Sequence, residues 1–123
     1  MSSNEQHRQL EVARELEASA RTLAHSTRDV PSPADSYELL GELSATVDHL
    51  EQVCLQLGRW HSHVQDGVHY DGEDERGDGA TGTVTSASDL ARAARSLTTA
   101  TQHLQAAHAA NGVVRWRETP AQA

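Results

Sequence analysis

The chain has no phenylalanine, no isoleucine and no lysine, one cysteine, and only Tyr37, Tyr70, Trp60 and Trp116 as Tyr or Trp side chains. Without Phe and Ile, packing falls to Leu, Val and Ala, and alanine buries little area. At roughly 25 cal/mol per Å² of apolar surface, a self-contained core in a single small domain is marginal, and a partner or a second copy would relieve it. One cysteine, Cys54, excludes an internal disulfide. No apolar run approaches the ~20 residues of a membrane span, so no membrane partner is expected. The first residues, Met1 to Arg8, lack the basic and apolar regions of a signal peptide, which points to a cytoplasmic protein.

The missing lysine means that all ten basic residues are arginine. Lys, Ile and Phe share AT-rich codons, so their joint absence suggests a GC-rich genome, such as an actinobacterial one. It also cautions against reading every Arg as a phosphate contact. The formal charge is −8 and the arginines are scattered, so direct nucleic-acid binding is not expected, whereas a basic protein partner is compatible.

What the chain does have is heptad patterning. Leu40, Leu43, Val47, Leu50, Cys54, Leu57, His61 and Val64 step by threes and fours, and so do Leu90, Ala93, Leu97, Ala100, Leu104 and Ala107. Each set lies on one face of a helix and requires a covering helix. A weaker stripe, Leu10, Val12, Leu16, Ala20 and Leu23, marks an earlier helix. Helices are predicted over about 3–24, 33–65 and 86–110. Pro31 breaks the first from the second, Ser32-Pro33-Ala34-Asp35 is a capping sequence, Ser86-Ala87-Ser88-Asp89 repeats the cap-plus-acid pattern, and Asn111-Gly112 is a stop.

The expected fold is all-α: an up-down-up three-helix bundle over 1–112 with a long central helix 2, able to dimerise through its heptad faces, and a short tail over 113–123. The runner-up is a hairpin of helices 2 and 3 that dimerises into four helices, with helix 1 outside. Between those helices, Asp66 to Val84 holds five glycines and six acids against one arginine, and should be a flexible loop.

Candidate chemistry is sparse. Asp74-Glu75-Arg76-Gly77-Asp78-Gly79 has the acid and glycine spacing of a calcium loop, but Arg76 and Thr85 stand where oxygen ligands are required. His61, His63 and His69 lie near Asp66 and Asp71. His61 and His63 are two apart on a helix, so they diverge, and His61 is expected to pack beside Trp60. No metal ligand is assigned and no cofactor is expected. Cys54 sits on an apolar face, where a thiol stays protonated. The acids Asp71, Glu73, Asp74 and Glu75 have no predicted scaffold to position them, so no catalytic residue is assigned. Trp60 lies beside the core face of helix 2. Trp116, in the apolar and basic tail Val113-Val114-Arg115-Trp116-Arg117, either folds back or meets a partner.

The size and helical-hairpin character resemble the small WXG-type secreted proteins of actinobacteria. That family carries a Trp-x-Gly turn between two helices and a Tyr-x-x-x-acid export motif after the second. Here Gly58-Arg59-Trp60 runs in the reverse order inside helix 2, and Tyr70-Asp71-Gly72-Glu73-Asp74 precedes helix 3. The correspondence covers a few residues and assigns no family. The function expected from the sequence is non-enzymatic: a small helical protein acting by protein–protein contact, as an adaptor, regulatory or antitoxin-like accessory factor. Its partner is a second copy or another protein, a basic one being compatible. The expected interface comprises Leu43, Val47, Leu50, Cys54, Leu57, Trp60 and Trp116. The alternatives are a secreted WXG-type protein and a metal- or ligand-binding bundle.

Overall fold

In the computed structural model, residues 7–64 and 80–117 are described. They form three helices, α1 (Gln9–Ser26), α2 (Asp35–Ser62) and α3 (Ala80–Asn111), with no strand among them. The all-α, three-helix expectation is met. By its contacts the chain divides into two compact units, Met1–Asp35 and Ser36–Ala123.

In the first unit, α1 buries none of its residues. Local pairs support it: Arg8 with Glu11 and Glu15, and Arg21 with Glu17. Such exposed pairs contribute only tenths of a kcal/mol each. Thr27 closes the helix, its N–H and its hydroxyl both donating to the Leu23 carbonyl.

The second unit is an antiparallel pair of helices. The Ser32 carbonyl accepts from the Asp35 N–H at 2.8 Å, a turn that delivers the chain into α2 two residues later than the capping pattern predicts. The far end of α2 unwinds through bonds from His63 N–H to Trp60 O and from Val64 N–H to His61 O. The larger difference is at α3, which begins at Ala80 rather than near Ser86. Residues 80–84 were expected in the loop, but they are helical. Gly58 lies against Ala87 and Leu90, and α2 continues one more turn to Ser62. α2 itself stops at Ser62, three residues short of its predicted end, and the start of α3 is largely exposed, with Val84 at 64 %, so burial against α2 does not explain the early start. Most of the expected acidic loop, 65–79, lies outside the described residues.

Three contacts fix the hairpin's register at the end opposite that loop. Asn111 Nδ2 donates to Ser36 Oγ at 3.2 Å. The His108 ring stacks on Tyr37 with centroids 4.0 Å apart. A Cβ placed on Gly41 would stand 3.2 Å from His108 Nε2. The stop at Gly112 works through proximity, since an added Cβ there would sit 3.0 Å from Tyr37 Cε1. Its N–H is shared between the carbonyls of His108 and Ala109.

The seam between α2 and α3 is built from small side chains. Ala94 is the only buried apolar residue among those described, at 2 % exposure, and Thr101 and Ser44 are the buried polar ones. With Gly41, Gly58, Ala87 and Ala91 they let the two backbones approach closely. The helix 3 ladder is displaced accordingly. Ala94, Thr101 and His108 turn inward beside Leu90, Leu97 and Leu104, while Ala93 and Ala100 are half-buried and Ala107 is exposed.

Candidate interaction surface

The helix 2 ladder falls on a boundary between two faces. Leu40, Val47, Cys54 and His61 are half-buried and share the seam side of α2 with Ser44 and Gly58. Leu43, Leu50, Leu57 and Val64 belong to a second heptad series, Leu39, Leu43, Thr46, Leu50, Val53, Leu57, Trp60, Val64, whose steps alternate four and three without a break. That series forms an outer ladder. Leu39, Leu43, Thr46, Leu50 and Val64 are half-buried, Val53 and Leu57 are each 46 % exposed, and Trp60 is 64 % exposed. The flank of α3 continues the apolar face with half-buried Ala93, Leu97, Ala100 and Leu104.

The fully buried residues of the hairpin are therefore small, while Val53, Leu57 and Trp60 stand exposed on one face. A sequence assembled only to close this helix pair would do the reverse, because large side chains contribute most when buried.

The expected interface residues divide along the same line. Val47 and Cys54 are half-buried on the seam side, and Cys54 is a free thiol. Leu43, Leu50, Leu57 and Trp60 are on the outer ladder. Trp116 is 49 % exposed in the tail beyond Gly112, where Val113 and Val114 are exposed as well. Arg115 turns back, donating to the carbonyls of Gly112 and Val114. Sequence reasoning missed Leu39, Thr46 and Val53. The signal that could have found them is the second heptad phase, masked because Thr46 reads as polar.

The histidines are held locally. His61 Nδ1 donates to Leu57 O at 2.8 Å, and His63 Nδ1 donates to Arg59 O at 2.7 Å, each reaching a carbonyl four residues back on its own helix. Trp60 and His61 meet edge to face, with centroids 4.9 Å apart, as expected. Among the described residues no three of His, Cys, Asp or Glu come together as a metal site. His69, Asp66, Asp71 and the calcium-like string 74–79 lie outside those residues, while Thr85 lies exposed on α3. A shallow depression on α1, lined by Ala18, Ser19, Thr22, Leu23 and Ser26, offers no ionisable side chain. No helix among the described residues is long and apolar enough to cross a membrane.

No protein family, curated protein or solved structure matches the chain.

Proposed function

We propose that the protein is non-enzymatic and acts by protein–protein contact, as an adaptor, regulatory or antitoxin-like accessory factor, with the outer ladder of α2 as its contact surface. One observation carries this: Val53, Leu57 and Trp60 are exposed on a continuous heptad face while the fully buried positions between the two helices are Ala94, Ser44 and Thr101. Contiguous exposed apolar surface of this kind marks interaction sites, and Trp is among the side chains most enriched in binding hot spots. The overall charge of −8 favours a cytoplasmic partner with basic character at the rim of the contact, outside its apolar centre.

The test compares Leu57→Glu and Trp60→Ala with Gln52→Glu, which lies on the exposed back of α2. The first two should abolish co-purifying complexes and leave the helicity of the dilute protein unchanged. Gln52→Glu should do neither. Complexes that survive both outer-ladder substitutions would refute the assignment of this face.

A second reading, a secreted WXG-type protein, draws on the antiparallel pairing of two long helices with Gly58-Arg59-Trp60 in the last turns of α2. Accumulation of the protein in culture filtrate, against a lysis control, would decide for it. The metal- or ligand-binding alternative has no observation among the described residues behind it.

A further inference from the structure

We infer that the outer ladder of α2 is covered by a second copy of this chain, the two α2 helices running antiparallel about a two-fold axis that passes between Leu50 and Val53. The inference rests on the interaction reading above and names its partner.

The first argument is the match of the ladder to itself. In an antiparallel coiled coil, a position of one heptad class faces the other class on the partner helix. About an axis between Leu50 and Val53, Leu50 faces Val53 of the second copy, Thr46 faces Leu57, and Leu43 faces Trp60. Each layer occurs twice, as an isologous interface requires. Every layer inside the helix is apolar or threonine, and the largest side chain, Trp60, is opposed by a leucine that is already half-buried. The axis also suits α3. Gly41 lies against His108 and Gly58 against Leu90, so the midpoint of the α2 ladder falls close to Leu97. Leu90 and Leu104 lie seven residues to either side of it on the same flank.

The second argument is charge. From Asp35 to Glu51, α2 carries Asp35, Glu38, Glu42, Asp48 and Glu51 and no arginine. The rest of α2, from Gln52 to Ser62, carries Arg59 and no acid, while on α3 Arg92 is paired with its own Asp89. Parallel pairing would lay the acidic half against its own copy. Antiparallel pairing lays it beside the acid-free half of the other copy's α2, which carries Arg59, twice. At the rim position next to the ladder, Glu42 comes level with His63 of the second copy, and His49 with Gln56. Charges at the edges of an apolar seam contribute little affinity but select orientation.

The experiment uses the full chain. Sedimentation equilibrium at high micromolar concentration should give a dimer, weakened by Trp60→Ala. Orientation is read by disulfide trapping in a Cys54→Ala background, with Thr46→Cys and Leu57→Cys carried on separate chains. On one antiparallel pair these positions face each other, whereas each is about 16 Å along the helix from its own counterpart, beyond disulfide reach. Oxidation should therefore cross-link the mixture of the two chains and neither chain alone. Cross-linking of each chain with itself would overturn the antiparallel arrangement. A monomer with no mixed disulfide would overturn self-pairing altogether. In that case, loss of a complex with another protein on Trp60→Ala would show that the interaction reading stands with a different occupant, and no effect on any complex would remove both.

Discussion

Gly58 gives the sharpest test of the close helix–helix approach. A Cβ built on it would meet Leu90 Cβ at 3.4 Å and Ala87 O at 3.6 Å, ordinary contact distances on the surface of α3. Gly58→Ala therefore fits without moving either helix. It also removes a residue that costs a helix interior about 1 kcal/mol relative to alanine, so its net effect should lie between neutral and about 1 kcal/mol stabilising. Gly58→Leu has the same backbone advantage, but its next carbon extends about 1.5 Å further, into space already held by Leu90 and the α3 backbone. Overpacking of this kind costs about 1–3 kcal/mol. The two variants should thus differ by about 2 kcal/mol, or roughly 4–8 °C of thermal midpoint for each kcal/mol in a domain of this size. Urea unfolding followed by helical circular dichroism, at one fixed protein concentration, measures the difference. A leucine variant as stable as the alanine variant would show that α2 and α3 do not approach closely at Gly58.

Further outcomes follow from the same geometry. Thr101 Oγ1 is buried with no hydrogen-bond partner among the described residues, so Thr101→Val, which keeps the shape and removes the hydroxyl, should stabilise by about 1 kcal/mol in urea unfolding. Ser36→Ala removes the acceptor of the Asn111 amide in a part-buried setting where Asn111 Oδ1 has no partner among the described residues, and should destabilise by about 0.5–1.5 kcal/mol in the same assay. Truncation after Gly112 should leave the helical signal and midpoint of the dilute protein intact, because Val113, Val114 and Trp116 are exposed. Melting on truncation would show that the tail belongs to the core.

Much of the architecture was legible because the strongest signals were local. The proline break at Pro31, the stop at Asn111-Gly112 and the two heptad series needed only spacing and backbone chemistry to be read. The start of α3 was not legible, since Thr81, Gly82 and Thr83 are weak helix formers that read as loop, yet the helix includes them. The inward face of α3 was also hidden. Leucine spacing selects Ala93, Ala100 and Ala107, whereas close backbone approach turns Ala94, Thr101 and His108 inward. Sequence hydrophobicity cannot distinguish those two phases when one alternates alanine with alanine or threonine. The candidate surface was half visible for the same reason. Leu43, Leu50, Leu57 and Trp60 stood out, but the division between seam and outer face appears only once Gly41 and Gly58 are seen against α3.

The measurement that bears most directly on the open leucine face is the thermal midpoint of the full chain across a wide range of protein concentration. A second copy that binds only the folded hairpin stabilises it by mass action. The midpoint should climb steadily with concentration in the wild type and lose most of that slope in Trp60→Ala, with the two proteins converging at high dilution. A wild-type midpoint that stays flat from low micromolar to near-millimolar concentration would contradict the claim that the face is covered by another copy of the chain.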